Sequence, residues 1–137
     1  MTRKLKTTEL DRSLAANYLR KAKEFRDVMN QVLSEGRPNA AALNAIHSAI
    51  SAADSLCVHF FGKRSSSKDH ADAVLLLRQS FPGAEGLRQA ERLASLLDKK
   101  NQVEYEERLF TIQEAANLAK QAERLFDWAA SKMGRPV

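Results

Sequence analysis

PNAAALNAIHSAISAADSLCVHFF, residues 38–61, is the stretch on which the fold turns. Leu43, Ile46, Ile50, Ala53, Cys57 and Phe60 recur at alternating intervals of three and four. That is the spacing of one face of an α-helix, and no two-residue alternation competes with it. Proline tolerates a first helical turn because its missing amide would have no partner there, so Pro38 suits the start. The spacing predicts a helix over 38–61.

The same rhythm extends to both sides. Leu10, Leu14, Tyr18, Ala22, Phe25, Met29 and Val32 mark a long helix near 8–35. Ile112, Ala115, Ala119, Ala122, Phe126, Ala129 and Met133 mark another near 111–133. Shorter helices are expected near 67–80 and 85–101. Breaks fall at "EGRPN" around Gly36, "FGKRSSSK" around Gly62, "FPGAEG" around Pro82 and "EYEERLFT" before Thr111. Thr8-x-x-Asp11, Ser66-x-x-Asp69 and Thr111-x-x-Glu114 each have the form of a capping box, in which a hydroxyl and a carboxylate satisfy free helix-start amides. Gly36 and Gly134 suit helix stops, the latter with Pro136 just beyond. No window shows strand alternation. The expectation is one domain over 1–137, an all-α, up-and-down bundle of four to five helices.

Bulk properties narrow the class. A chain of 137 residues is long enough to bury a core without staples. Five glycines and three prolines are few, which favours long helices over turns. The single Cys57 excludes an internal disulfide and fits a reduced, cytoplasmic setting. "MTRKLKTTELDRS" has basic residues with no apolar run behind them, unlike a signal peptide, and "AVLLL" is far too short to cross a bilayer. No membrane association is expected. A formal charge of +5 permits contact with nucleic acid without requiring it. In the last helix, Leu118, Leu125 and Trp128 widen the apolar stripe beyond one face. That breadth fits a second neighbour within the chain or a seam with a second copy.

Three groups of polar residues could carry chemistry. His47 and Asp54 lie two turns apart beside the apolar stripe of 38–61. A buried polar pair there needs partners, since an unsatisfied group costs about 1–3 kcal/mol; it either anchors a loop or positions a proton or phosphate. In "GKRSSSKDH", residues 62–70, Lys63, Arg64 and Lys68 precede a helix start with Asp69 and His70. Helix amino ends attract anions, so these cations could hold nucleic-acid phosphates; a capping and solubility role is the plainer reading. Ser65-x-x-Lys68 also has the spacing of a Ser-Lys nucleophile, but its partner motifs are absent.

The third group is "LLDKKNQVEYEERLF", residues 96–110. Leu93, Leu96 and Leu97 give that helix a buried side, and Lys99, Lys100, Asn101, Glu104 and Tyr105 cluster at its end. No histidine accompanies Glu104, Glu106 and Glu107 in this run, so no metal site is expected. The residues fit a phosphate-facing cluster or a solvated turn.

Together these features resemble the HEPN domains, small all-helical proteins of bacteria and archaea that usually dimerise. The resemblance spans about residues 35–133 and rests on their order. "AALNAIHSAISAADSL" is followed by "KRSSSKDH" opening a short helix, then "LLDKKNQVEYE", then "EAANLAKQAERLFDWA". Many members carry an arginine, a polar residue and a histidine a few positions on, supporting metal-independent RNA cleavage in a cleft between two subunits. One branch shows an arginine–asparagine pair followed by an acid–tyrosine pair. Lys100-Asn101 and Glu104-Tyr105 stand in those places here, with lysine for arginine and Tyr105 near where the histidine would be.

The resemblance implies a degenerate or weak metal-independent endoribonuclease of toxin–antitoxin or defence type, with no cofactor. Lys100, Asn101 and Tyr105 would be its catalytic residues, and Lys63, Arg64, Lys68 and Lys99 its phosphate contacts. His47, Asp54, Asp69, His70 and Glu104 would support them. It implies a homodimer, with RNA and a cognate antitoxin or nucleotidyltransferase as partners. The alternatives are a non-catalytic HEPN module that binds such a protein partner, and an unrelated helical adaptor or chaperone.

Overall fold

The computed structural model describes residues 5–134; Pro136, expected beyond the last helix, lies outside them. In chain order the elements are β1 (Thr7–Glu9), α1 (Ala15–Ser34), α2 (Pro38–Phe61), β2 (Lys63–Ser65), α3 (His70–Ser80), α4 (Ala84–Leu97), α5 (Lys100–Tyr105) and α6 (Ile112–Lys132). A 3-10 turn over Arg12–Leu14 leads into α1. The protein is an all-α bundle with a very small two-stranded sheet.

Helix α2 runs through the middle and packs against α1, α3, α4, α5 and α6. Its small side chains permit this. Ala41, Ala42, Ala45, Ala49 and Ala52 have no exposed surface, and Ser48 and Ser55 are equally covered. The buried hydroxyls find backbone acceptors: Ser48 donates to the Ala22 carbonyl of α1 at 2.9 Å, and Ser55 to Ala52 at 2.6 Å. Each thereby avoids the cost of an unpaired buried group.

Contacts at the helix ends give the directions. The Leu10 amide donates to the Gly62 carbonyl at 2.8 Å, so α1 runs antiparallel to α2. The Phe110 amide donates to Asn39 Oδ1 at 2.8 Å, placing the start of α6 beside the start of α2. At the far end Trp128 of α6 meets Phe81, 5.2 Å between centroids, and Phe81 meets Phe60 and Phe61 of α2. α6 therefore runs alongside α2 in the same direction. α4 leaves from Phe81 and α5 arrives beside His47, so this arm runs back down. Helix α1, helix α2, the α4–α5 arm and helix α6 alternate in direction, with α3 folded against α4.

Two glycines make close approaches possible. Gly62 ends α2 at φ 66°, the left-handed conformation that turns the chain back over its amino-terminal segment. Gly86 in α4 crosses the Phe81 backbone so tightly that a Cβ would sit 1.8 Å from the Phe81 carbonyl oxygen.

Several expectations need correction. The helix expected from residue 8 begins only at Ala15, because Thr7–Glu9 pairs antiparallel with Lys63–Ser65, Thr8 opposite Arg64. Three residues are too few for a strand alternation to show in sequence. Thr8 and Ser66 form no capping boxes. Asp11 accepts from the Ser13 amide and Asp69 from the Ala71 amide, each carboxylate capping its own turn. The Thr111–Glu114 box does form, in both directions. The helix expected over 85–101 divides after Leu97 into α4 and α5. On α1 the buried face is Ala15, Leu19, Ala22 and Met29, and Leu14 is 38% exposed because it precedes the α-helical turns. Ile112, in the first turn of α6, is half exposed. The breadth of α6 is used inside the chain, where Leu118 and Leu125 are buried and Trp128 packs on Phe81.

Candidate functional site

The clearest polar cluster forms where α5 meets α2. Val103 packs against the core edge, which holds this short helix to the bundle. Glu104 then faces α2. One carboxylate oxygen lies 2.9 Å from Lys100 Nζ, one turn earlier in α5, and the other lies 3.4 Å from His47 Nε2 in α2. The Lys100 and Glu104 side chains are 18% and 15% exposed, whereas His47 is 38% exposed. The Lys100 hydrogen bond holds the Glu104 carboxyl below its usual value; partial burial opposes this, and the Tyr105 hydroxyl and His47 lower it further. Behind the imidazole lies Phe25 of α1, 5.5 Å between ring centroids. One carboxylate thus joins a cation to an accessible imidazole whose other side rests on an aromatic ring.

The neighbouring candidates are more open. Asn101 points along α5 and donates to Glu106 Oε2 at 3.2 Å. The Tyr105 side chain is 76% exposed. Lys99 stands in the turn between α4 and α5, its carbonyl accepting from the Val103 amide. Lys100 and Asn101 therefore project differently, the first into the Glu104 contact and the second to the surface.

Asp54 belongs to a second cluster. It lies two turns beyond His47 on α2, about 10 Å along the axis, and its Oδ2 is 3.4 Å from Arg64 Nε in β2. The guanidinium also lies 5.5 Å from the Tyr18 ring centroid. The Asp54 side chain is only 14% exposed. Burial pushes its pKa up to about 6, outweighing the opposing charge and hydrogen bond of Arg64. One turn on, burial and then Asp54 push the Cys57 thiol up to about 12, which makes it a poor nucleophile. A cavity of about 40 Å³ separates Asp54, Cys57, Ser65 and His70 from an apolar floor that includes Leu76 and Leu93. It has room for about one water-sized group.

The remaining candidates lie along β2 and the start of α3. Lys63 pairs across the ladder with Glu9. Lys68, Asp69 and His70 edge an open groove of about 600 Å³ between the start of α3 and the end of α4, floored by Val74, Leu75 and Leu97. Among the described residues no group of three or more His, Cys, Asp or Glu is placed to hold a metal ion. No helix of the described residues is long and apolar enough to cross a membrane.

Five of the candidates thus meet in two groups. His47, Lys100 and Glu104 meet at one, and Asp54 and Arg64 at the other. The spacing of His47 and Asp54 correctly places them on one side of α2, but each is claimed by a different partner. Sequence reading missed the roles of Phe25 and Tyr18, which look like core positions until α2 is placed beside α1. It also missed the ion pair of Arg26 with Glu123, 3.6 Å apart, with the guanidinium 4.4 Å from the Phe126 ring centroid. No periodic signal links those positions; only the packing of α1 on α6 does. No protein-family model matches the chain, and no curated protein matches its sequence.

Proposed function

We propose that this chain is an RNA-interacting helical protein of HEPN-like kind, with weak, metal-independent ribonuclease chemistry centred on His47, Glu104 and Lys100. The observation that carries this reading is the Glu104 carboxylate placed between His47 Nε2 and Lys100 Nζ. A general base held by a second group is the usual arrangement for proton transfer. With Nε2 turned to Glu104, the other imidazole nitrogen, Nδ1, is the one to accept a proton.

The chemistry is attack by a ribose 2′-hydroxyl on the adjacent phosphate. His47 takes the hydroxyl proton, the 2′-oxygen bonds to phosphorus, and the bond to the departing 5′-oxygen breaks. That oxygen takes a proton from the Tyr105 hydroxyl or from water. The products are a 2′,3′-cyclic phosphate and a free 5′-hydroxyl, with no change in oxidation state. An ammonium group carries three donors, so Lys100 retains two for the phosphate while bonded to Glu104. Three features make the reaction weak. Glu104 already offsets the Lys100 charge, and a phenol is a poor proton donor near neutral pH. Lysine also lacks the planar fork with which arginine grips a phosphate.

The test is cleavage and binding of an unstructured RNA in the presence of a chelator. Slow cleavage to cyclic-phosphate ends is expected. His47→Ala should remove cleavage while sparing binding, and Lys100→Ala should weaken both. Absence of RNA binding even at low salt would overturn the reading. A toxin–antitoxin or defence role, a cytoplasmic location, a homodimer and a cognate antitoxin or nucleotidyltransferase belong to the same proposal. With the breadth of α6 used within the chain, the homodimer rests on the family resemblance; light scattering at tens of micromolar tests it.

One observation favours the second reading, a non-catalytic module for a protein partner. Tyr105, Leu109 and Ile112 are 76%, 78% and 50% exposed within one short stretch. A Leu109→Ser variant that loses a nucleotidyltransferase or antitoxin partner, in a protein that binds no RNA, would establish it.

A further inference from the structure

We infer that the β1–β2 ladder is a pH-sensitive flap, shut over the cavity beside Asp54 when that carboxyl is protonated and loosened when it ionises.

Closure leaves several polar groups poorly served. β2 forms one wall of the cavity, where Ser65 faces Asp54 and Cys57. Arg64 Nε and Ser65 Oγ are both buried there without a hydrogen-bond partner. The Asp54 side chain, 14% exposed, faces the Arg64 guanidinium at 3.4 Å, longer than a good charged hydrogen bond. Unpartnered polar groups cost stability when buried and lose that cost on reaching water. Lifting β2 hydrates all three groups at once.

What holds the wall in place is slight. The ladder has three residues in each strand, and two strands alone pair only marginally in water. The Leu10 amide ties one end to the Gly62 carbonyl at 2.8 Å, and the Ser66 amide ties the other to the Lys6 carbonyl at 3.1 Å. Arg64 rests on the Tyr18 ring, 5.5 Å from its centroid, and Leu10 packs on the core edge. The remaining walls belong to packed helices, with His70 and Leu76 from α3 and Leu93 and Leu97 from α4. β2 is therefore the wall that can move without breaking the bundle.

The direction of the response follows from hydration. In the closed state burial holds the Asp54 carboxyl at about 6, against 3.8 in water. Below about pH 4 it is protonated whether the flap is open or shut, and pH favours neither state. Above about pH 6 it is ionised in both, and the open state gains because it hydrates the charge. Arg64 works the other way, but burial outweighs it. The other groups around the cavity are Lys63 on β2, with Glu9 opposite it on β1, Cys57 on α2 and His70 on α3. From α1, Lys21 shares the Tyr18 ring with Arg64, and α4 contributes only apolar side chains to this cavity. An imidazole by its nature titrates over a similar range, so His70 is separated from Asp54 in the test.

The test is amide hydrogen exchange of the full chain between about pH 4 and about pH 7, with each rate divided by the intrinsic rate at that pH. Asp54→Asn and His70→Gln are measured alongside. The ladder amides should exchange far faster than those buried in α2, the mark of a local opening. Their opening constant should rise about fiftyfold across the range and level off above about pH 6, as linkage requires for this carboxyl. Asp54→Asn should remove the rise, and His70→Gln should keep it. A flat profile in the unaltered protein would overturn the flap, and that measurement depends on no variant. So would a rise that survives in Asp54→Asn, a rise lost in His70→Gln, or equal corrected rates in the ladder and α2.

Discussion

Glu104 Oε1 lies 3.4 Å from His47 Nε2, a contact that ties α5, the shortest α-helix among the described residues, to the central one. Six residues cannot sustain a helix alone, because the first turn fixes several residues for a single hydrogen bond. α5 therefore depends on Val103 in the core edge and on the two partners of Glu104 for its place.

Glu104→Gln should loosen α5 without unfolding the bundle. Amide exchange across residues 100–105 is expected to quicken markedly, while global stability falls by about 1–3 kcal/mol, the range for weakening a charged hydrogen bond between side chains only 18% and 15% exposed. Equal exchange in both proteins would show that Val103 alone suffices.

Asp54 gives a pH-dependent prediction of definite sign. Its folded pKa of about 6 lies above the ordinary carboxylate value of 3.8, so the fold binds that proton more tightly than the unfolded chain does. The cost of ionising it is absent below about pH 4, grows through the interval, and is complete above about pH 6. Asp54→Asn should therefore be more stable than the unaltered protein at neutral pH, by an amount on the order of 2–3 kcal/mol. The difference should shrink towards zero in acid. Denaturant titrations at both pH values measure it.

Gly86→Ala places a Cβ 1.8 Å from a backbone oxygen that cannot swing aside. The α3–α4 turn must shift, and a loss of about 3 kcal/mol is expected, at the upper end for overpacking. A melting temperature close to that of the unaltered protein would mean that α4 slides freely on the Phe81 turn.

Thr111→Ala removes the hydroxyl that accepts from the Glu114 amide and should cost about 1 kcal/mol. The Glu114 carboxyl is held below its usual value by the Thr111 amide first and Arg108 second. Acid should therefore weaken the same cap as that carboxyl protonates. The thermal transition in mild acid reports it.

Helices announced by long periodic runs were legible in sequence; features made by distant contacts were not. α2 occupies the expected residues 38–61 because proline, a regular stripe and a left-handed glycine all agree. Thr111 and Glu114 form their box because the interaction is local. The β1–β2 ladder was hidden because Thr8 and Arg64 become neighbours only after Gly62 reverses the chain. The break after Leu97 was hidden because no glycine or proline marks it. At the site, His47, Lys100 and Glu104 were all recognisable as residue types of interest, but their grouping depends on α5 docking against α2. In sequence Phe25 and Tyr18 are ordinary stripe positions; their place beside His47 and Arg64 depends on the antiparallel register of two helices.

The composition of α2 has a consequence for how this protein can change. Its fully covered positions are mostly alanines and serines, with Ile46, Leu56 and Val58 as the few large exceptions. At the small positions almost nothing can be trimmed away, and nearly every replacement adds atoms where neighbouring backbones already approach. Tolerance to variation in the central helix should therefore be one-sided. Exchanges among glycine, alanine and serine should survive, larger residues should be rejected together, and compensation should come from shrinking a partner on α1 or α6.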